Sequence, residues 1–355
     1  MLANLWRVVA GCEWARLKSL GMKLAAILLA WAAGAGAQSW VGQSSGSAAS
    51  LRGIGVVNAR VAWASGASGT WLTTSDGGVS WRSGTVRGAE KLDFRAVQAI
   101  DERTAWLMSV GSGSQSRVYH TTDGGLHWRR QLTAPAPKGF FDAMVFRDAR
   151  RGMVLGDPVE GEFEIYTTDD GGRHWRSQHT PLALPGEGAF AASNSCLVLR
   201  GTREAWFGTG GPGGARIFHS IDGGATWTVT RAPLRDDGPA AGIFSLAFAD
   251  GSLGVAVGGD YSKPADAARN AAITADGGRT WAGPGGAPGG FRSAVLYLAA
   301  YRAWIATGTN GSDVSFDGGK SWKRFDTASY NALGAAGGVV LGVGPGGRIA
   351  ALRMP

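Results

Sequence analysis

Residues 74–81 read Thr74-Ser75-Asp76-Gly77-Gly78-Val79-Ser80-Trp81, and the chain carries six copies of this pattern. The shared frame, called the Asp-box below, is Ser/Thr-x-Asp-Gly-Gly-x-Thr/Ser/His-Trp. The framing aspartates of successive copies lie 41 to 54 residues apart. A repeat of this length is typical of solenoids, propellers and other arrays, so it bears on the fold before any other feature does. The later copies begin at Thr121, Thr168, Ser220, Thr274 and Ser315.

Each Asp-box predicts a tight turn between two strands. Glycine adopts positive φ at no steric cost, and the aspartate side chain accepts hydrogen bonds from amides of its own turn. The tryptophan begins the next strand, where its large apolar body packs between neighbouring repeats. We therefore predict a structural role for the box residues, which are Asp76, Asp123, Asp170, Asp222, Asp276, Asp317, Trp81, Trp128, Trp175, Trp227, Trp281 and Trp322.

Every repeat contains four short runs of strand-forming residues, labelled A to D. In the second repeat these runs are residues 94–100, 104–110, 117–122 and 127–132, with the box between C and D. Four strands in a repeat of this length indicate the blade of a β-propeller. The same order recurs from Phe140, Ala189, Ile243 and Phe291.

The sixth box is followed by one more unit, which lacks a box and ends after three strands. These strands are residues 330–335, 339–343 and 348–352, and residues 39–43 near the other terminus resemble the missing D strand. Joining them would seal the ring without open sheet edges. The sequence therefore predicts an all-β, seven-bladed β-propeller of four-stranded blades. Six blades carry Asp-boxes, and the mature N-terminal strand closes the seventh.

The boxes resemble those of the Asp-box, or BNR-repeat, β-propellers. Glycine-ended B strands, such as Met153-Val154-Leu155-Gly156, are most similar to bacterial relatives of the photosystem II stability/assembly factor. Sialidase-type and sortilin-type propellers share the box and are more distant. The resemblance implies a scaffold that holds a client protein during the assembly of a complex. That family binds its client through an arginine patch, which no motif locates in this chain.

The first 37 residues are typical of a leader with a signal peptide. Met22-Lys23 is a charged start, residues 24–33 are an apolar core too short to span a membrane, and Ala35-Gly36-Ala37 is a small-residue cleavage site. We expect Met22 to be the true start and cleavage to occur near Ala37. The mature protein, a single propeller domain over residues 38–355, is then periplasmic or secreted and has no transmembrane segment.

The charge of the chain argues against a nucleic-acid partner. The formal net charge is +8, and the leader holds four of the cations and one acid, which leaves the propeller about +5. This excess is spread out, without a run of Lys or Arg, whereas nucleic-acid binding needs a concentrated basic surface. We expect a monomer whose partner is a protein client or a polar or carbohydrate ligand.

The B–C loops supply the candidate binding residues. In a propeller the A–B and C–D turns share one face, whereas the B–C and D–A loops share the other, and binding residues concentrate on loops of a rigid scaffold. Three B–C loops, residues 156–162, 258–264 and 308–313, are rich in polar groups, and Asp142 lies at the start of an A strand on this face. The predicted site comprises Asp157, Glu160, Glu187, Asp260, Tyr261, Lys263, Arg292, Asn310 and Asp313.

The alternative is a sialidase-like glycoside hydrolase or a carbohydrate-binding propeller. Sialidases use a Tyr nucleophile, acids and arginines, which Tyr261, Asp157 and Arg292 offer by residue type. However, this chain lacks the Phe/Tyr-Arg-Ile-Pro motif at which sialidases begin. Sialidases also have six blades, whereas seven are predicted here. The Gly-x-Gly-x-x-Gly at residues 208–213 opens no helix, and no His/Cys spacing indicates a metal site. The sequence therefore favours a non-catalytic scaffold without cofactor or metal.

Overall fold

The structure, a computed structural model, describes residues 37–355 as antiparallel strands grouped into seven sheets. The first thirteen strands are β1 (Ser39–Gln43), β2 (Leu51–Val56), β3 (Ala62–Gly66), β4 (Thr70–Thr74), β5 (Arg82–Thr85), β6 (Asp93–Ala99), β7 (Ala105–Val110), β8 (Arg117–Thr121), β9 (Arg129–Thr133), β10 (Phe141–Phe146), β11 (Gly152–Val159), β12 (Glu162–Thr168) and β13 (Arg176–Gln178). The remaining strands are β14 (Leu197–Arg200), β15 (Glu204–Gly208), β16 (Arg216–Ser220), β17 (Thr228–Arg231), β18 (Ala241–Phe248), β19 (Gly254–Asp260), β20 (Ala271–Thr274), β21 (Ala294–Leu298), β22 (Ala303–Gly308), β23 (Gly311–Ser315), β24 (Lys323–Asp326), β25 (Ala332–Ala336), β26 (Val339–Val343) and β27 (Ile349–Arg353). Two 3₁₀ turns, Gly113–Gln115 and Ala299–Tyr301, complete the elements of this part of the chain.

Consecutive strands form each sheet, from the innermost strand A to the outermost strand D. Blades one to four are β2–β5, β6–β9, β10–β13 and β14–β17, and blade six is β21–β24. The innermost strands pack side by side around the ring, from β2 to β25 and back to β2. The propeller forms one compact unit, Ser39–Leu352. The prediction of an all-β, seven-bladed propeller is confirmed.

The seventh sheet combines strands from the beginning and the end of the propeller. Its order is β1-β27-β26-β25, so β1 is the outermost strand. The Trp40 ring lies 4.8 Å from the ring of Tyr330, and its Nε1 donates to Ser312 Oγ in blade six at 3.0 Å. The outer strand of blade seven is therefore anchored both within its own sheet and to the neighbouring blade.

Blade five departs from the predicted four complete strands. Its sheet contains β18, β19 and β20, and the fourth strand is reduced to one bridge in which Ile273 and Ala282 exchange two backbone hydrogen bonds. Gly283 and Pro284 follow this bridge, and proline has no N–H with which to extend a ladder. The pairing therefore ends after a single residue.

Blade four begins later than the sequence pattern predicts. Its strand A starts at Leu197 rather than near Ala189, because the intervening residues form turns. Asn194 adopts a left-handed φ of 66°, and its side-chain amide exchanges hydrogen bonds of 2.7 and 2.8 Å with the backbone of Met144. This loop therefore ties blade four to blade three. A smaller shift moves the start of β21 from Phe291 to Ala294.

All six Asp-boxes share one hydrogen-bond pattern. The first hydroxyl donates to Oδ1 of the aspartate at 2.8–2.9 Å and accepts the N–H of the second glycine at 2.8–3.0 Å. Oδ1 also accepts the N–H of the residue before the tryptophan, whose side chain bonds Oδ2 at 2.5–2.7 Å. Hydrogen bonds from that residue are the main reason why the pKa of all six aspartates is lowered.

The boxes also connect different parts of the ring. In five of them the first glycine N–H donates to a carbonyl of the A–B turn of the same blade at 2.7–2.9 Å, which places both turns on one face. Each box tryptophan packs against a hydrophobic cluster that joins its own blade to the preceding one. The box residues are thus engaged within the protein, on the face opposite the B–C loops.

Replacing Asp222 by alanine is expected to lower the free energy of unfolding by about 1–3 kcal/mol, since several turn donors lose their acceptor. Oδ1 of Asp222 accepts from Ser220 Oγ and from the N–H groups of Ala225 and Thr226. Thr226→Val removes only the side-chain bond to Oδ2 and should cost less. Urea unfolding of the three proteins checks the order, and a loss in Thr226→Val equal to that in Asp222→Ala would contradict it.

Candidate binding site at the channel mouth

Four innermost strands carry a β-bulge near their first residue, at the end that adjoins the B–C loops. The bulged residues are Arg52 in β2, Arg95 in β6, Asp142 in β10 and Phe244 in β18. A bulge leaves one residue outside the ladder and changes the direction of its side chain. All four side chains line one cavity of about 520 Å³. The repeated bulge therefore gives each of these blades one side chain at a common channel mouth.

The channel mouth combines charged groups with an aromatic wall. Its two arginines and two acids all lie in blades one to three, whereas four of its five aromatic side chains lie in blades four to six. The rings of Phe190 and Phe244 stack at 3.9 Å, and Phe291 meets Phe244 edge to face at 4.7 Å. The charged lining residues are Arg52, Arg95, Asp142 and Asp157, and the aromatic ones are Phe140, Phe190, Phe244, Tyr261 and Phe291.

The two arginines differ in how far they are paired. Arg95 Nε donates to Asp93 at 2.8 Å, and its Nη1 donates to the carbonyl of Ala191 at 3.1 Å. Arg52 Nε is buried and has no partner among residues 37–355. Burial, and to a smaller extent the charge of Arg95, lowers the pKa of Arg52 to about 10, so its guanidinium stays charged at neutral pH. Arg52 therefore brings a cation with an unused hydrogen-bond donor to the mouth.

The two acids lie in an environment that disfavours their charge. Asp142 is 1% exposed, and its Oδ2 has no partner within the described chain. Burial raises the pKa of Asp142 well above its ordinary value, the charge of Asp157 adds to this, and Arg95 opposes it. Burial also raises the pKa of Asp157 to about 6, although its Oδ1 accepts the N–H of Ala189 at 2.9 Å. Both acids therefore lose their protons at higher pH than ordinary carboxyls do.

Two of the nine predicted site residues line this cavity. Asp157 lies inside it, and Tyr261 stands at its edge with 54% of its surface exposed. Asp260 is buried and accepts the N–H of Ser262 at 2.9 Å, and Lys263 Nζ lies 3.5 Å from its other oxygen. These contacts hold the loop that presents Tyr261. Glu160 is exposed in the turn between β11 and β12, with a φ of 55°.

The other four predicted residues are engaged in buried networks. Arg292 forms an ion pair with Asp313 and donates to Asn310 Oδ1 at 2.6 Å. Glu187 forms an ion pair with Arg216 and accepts from Thr209 Oγ1 at 2.6 Å. Because these charges find their partners within the protein, we assign Arg292, Asp313, Asn310 and Glu187 to the stability of the loops rather than to ligand contact.

The predicted site omits Arg52, Arg95 and Phe244, which line the mouth. A weak signal exists in the sequence, because each follows a large apolar residue and precedes a small one, as in Leu51-Arg52-Gly53 and Phe94-Arg95-Ala96. In a strand with regular alternation, these side chains would pack between neighbouring blades instead of facing the channel. The bulge reverses that expectation, and it is visible only once the register is known.

Asp142→Asn should change how stability depends on pH. The unfolded pKa of an aspartate is about 4, so the raised folded pKa makes wild-type stability fall as pH rises from there through the folded value. Asparagine does not titrate, so the variant should gain stability relative to wild type as pH increases. Urea unfolding from acid to neutral pH checks this. Parallel pH profiles for the two proteins would contradict it.

The described residues contain no group of three or more His, Cys, Asp or Glu side chains placed to hold a metal ion. No helix within residues 37–355 has the length and apolar character needed to cross a membrane.

Fold and site together define an Asp-box propeller with a mixed charged and aromatic channel mouth. Residues 33–178 match the family model described as Photosynthesis system II assembly factor YCF48. A comparison with curated proteins found no match. The chain thus resembles the photosystem II assembly factor, as its boxes predict.

Solved structures share the fold at low sequence identity. YCF48 bound to D1 peptide aligns with a TM-score of 0.63 and 15% identity, over 90% of this chain and 98% of that one. YCF48 from Cyanidioschyzon merolae aligns with a TM-score of 0.59 and 20% identity, over 90% of this chain and 99% of that one. The WD40 β-propeller domain of Doa1 aligns with a TM-score of 0.60 and 12% identity, over 90% of this chain and 98% of that one. At these identities the likeness shows the fold alone.

Proposed function

We propose that the protein is a non-catalytic binding scaffold that holds a segment of a client protein at its channel mouth. The observation that carries this proposal is the convergence of bulged side chains from four blades on one cavity. The partial match to an assembly-factor family supports it, as does a similarly folded propeller that has been solved with a peptide. The four bulged residues are two arginines, an aspartate and a phenylalanine, and such an unequal set suits one extended, asymmetric ligand better than a symmetric one.

The lining groups match what a peptide segment offers. Apolar side chains of the client pack on the aromatic wall, and Arg52 donates to a backbone carbonyl. Tyr261 supplies an exposed aromatic contact at the edge, and aromatic and arginine side chains are the usual centres of binding energy in interfaces. The ion pairs beneath the loops keep this surface in place before the client arrives, which reduces the ordering cost of binding.

Matched substitutions of two exposed aromatic residues test the proposal. Tyr261 and Phe316 are 54% and 55% exposed, but Phe316 belongs to an Asp-box on the opposite face. Exposed substitutions usually change stability by only about 0.5 kcal/mol, so both variants should fold. Quantitative capture of partners on wild type, Tyr261→Ala and Phe316→Ala should show one partner weakened only by Tyr261→Ala. Equal capture by the two variants would contradict the proposal.

We also propose that the protein is exported. This rests on the sequence pattern of residues 1–37, nearly all of which lie outside the described part of the chain. Cleavage after Ala37 would leave Gln38 as the first residue, directly before β1. N-terminal sequencing of the natural protein should therefore begin at Gln38, and an uncleaved cytoplasmic chain would refute export.

One observation favours a glycosidase as the second candidate function. Asp142 and Asp157 are two carboxyls with raised pKa values in one cavity, and glycosidases use two acids of unequal pKa. Among the described residues, only two arginines, Arg52 and Arg95, line the mouth, whereas sialidases use several. A panel of fluorogenic glycosides, sialosides included, separates the candidates. We expect the protein to hydrolyse none of them. If it hydrolyses one, and Asp157→Asn abolishes that activity, the glycosidase would replace the scaffold as the proposed function.

A further inference from the structure

We propose that the acidic side of the channel mouth is a subsite for one basic side chain, a lysine or an arginine, of the bound client segment. The subsite consists of Asp142 and Asp157 together with the aromatic wall that faces the same cavity. This inference rests on the proposed function and names the chemistry of one of its contacts.

Asp142 is the first reason, because its carboxyl is left incomplete. Its side chain is almost fully buried, and Oδ2 has no hydrogen-bond donor among the described residues. An unpaired buried carboxyl oxygen is costly, and native structures usually satisfy such groups. Two other buried acids of this face follow that rule, since Glu187 is paired with Arg216 and Asp313 with Arg292. Asp142 has no such ion pair within residues 37–355, and an incoming donor would complete its Oδ2.

The second reason is the aromatic wall. Phe140, Phe244 and Phe291 line the same cavity as the acids, and Tyr261 extends the wall to the rim. Aromatic faces attract cations, and the effect grows when water is excluded. The methylene stem of a lysine or arginine packs on such rings while its charged head reaches a carboxylate. The wall and the acids together fit a long basic side chain better than a short neutral one.

The charges around the subsite leave room for a cation. Asp93 already neutralises Arg95. Among the described residues that line the cavity, this leaves Arg52 as the one cation without an ion pair, against two acids. The side chain of Cys196 is buried nearby and uncharged, because burial raises the pKa of its thiol, and the charge of Asp142 adds to this. The described residues contain no group of three or more His, Cys, Asp or Glu side chains placed to hold a metal ion, so an organic cation fits better than a metal ion.

Binding of the cation should depend on pH. Protonated carboxyls cannot form the ion pair, and the pKa of Asp157 is about 6 with that of Asp142 also raised. A cation favours ionisation of both acids, so it binds with release of a proton. Affinity should therefore fall as pH drops through about 6. The pKa of the neighbouring Arg52 is about 10, so its guanidinium stays protonated over this range and the acids account for the change.

Two tripeptides provide the test. Ac-Gly-Lys-Gly-amide and its norleucine counterpart differ only in the ammonium group, and both are titrated into the full mature protein at pH 8 by NMR. We expect the lysine peptide to bind at least about tenfold more tightly, the size of one desolvated cation contact. Asp142→Asn and Asp157→Asn should each reduce this preference. Asp169→Asn, which removes an acid from the box face of the same blade, should keep it.

Equal affinity for the two peptides, or no measurable binding of the lysine peptide, would overturn the subsite. Retention of the preference in both Asp142→Asn and Asp157→Asn would do so as well. Thermal unfolding of each variant shows whether it is still folded, so that a lost preference for the lysine peptide can be separated from unfolding. A partner that depends on Tyr261 but binds without charge preference refutes the subsite alone, whereas the absence of any such partner refutes the scaffold.

Discussion

A chain that lacks residues 38–45 is expected to unfold at a much lower temperature and to aggregate. The deletion removes β1, so the edge of β27 is left unpaired, and exposed edges promote association. It also removes the partly buried Trp40 from its contacts with Tyr330 and Ser312, and the loss of this apolar contact adds to the cost.

The same strand also anchors blade one. Trp81 Nε1 donates to Gln43 Oε1 at 3.0 Å, and Gln43 Nε2 donates to the carbonyl of Gly77 at 3.2 Å. The deletion therefore weakens both neighbours of blade seven. Thermal unfolding and light scattering of the mature chain, the deletion and Trp40→Ala separate strand pairing from side-chain packing. A deletion that stays monomeric with an unchanged melting temperature would contradict the closure by β1.

Asp313→Ala is expected to lower the free energy of unfolding by about 3–5 kcal/mol. Arg292 is fully buried, and its guanidinium would remain charged in the protein interior without its carboxylate partner. Asp313 Oδ1 also accepts the N–H of Gly289 at 3.2 Å, so the loop before Arg292 loses a contact as well. Urea unfolding measures the loss directly.

The control for this prediction replaces both partners at once. Arg292→Met combined with Asp313→Leu removes the ion pair without leaving a buried charge, and such replacements are often close to neutral. We expect the double variant to be more stable than Asp313→Ala, which a double-mutant cycle quantifies. A cost below about 1 kcal/mol for Asp313→Ala would show that the pair contributes little, against our assignment of these residues to loop stability.

The fold was predictable because each Asp-box specifies its own turn. The donors and acceptors of a box lie within eight residues, as in residues 74–81. The turn can therefore be predicted from the local sequence, without knowledge of tertiary contacts. The closing strand was predictable because Ser39-Trp40 resembles the D strands after the boxes. The sequence did not predict that the fourth strand of blade five is reduced to one bridge. The repeat pattern would continue that strand, but a proline ends its pairing.

The site was less predictable because its residues depend on distant partners. The sequence shows that Arg292 and Asp313 are charged, but only the structure shows that they form a buried ion pair with each other. Arg52 in blade one and Asp142 in blade three have blade two between them, and both reach the mouth through bulges. Local polarity thus draws attention to the loop that presents Tyr261 but not to the strand residues that line the same cavity.

Photocrosslinking from two positions tests the central claim most directly. Full-length protein with p-benzoylphenylalanine in place of Tyr261, or in place of Phe316, is produced in its own cells and irradiated there. The two positions are equally exposed on opposite faces. The scaffold account predicts a discrete crosslinked protein from position 261 that unlabelled wild type competes away, and none from position 316. A crosslinked partner from position 316 alone would contradict it and would place the binding surface on the box face.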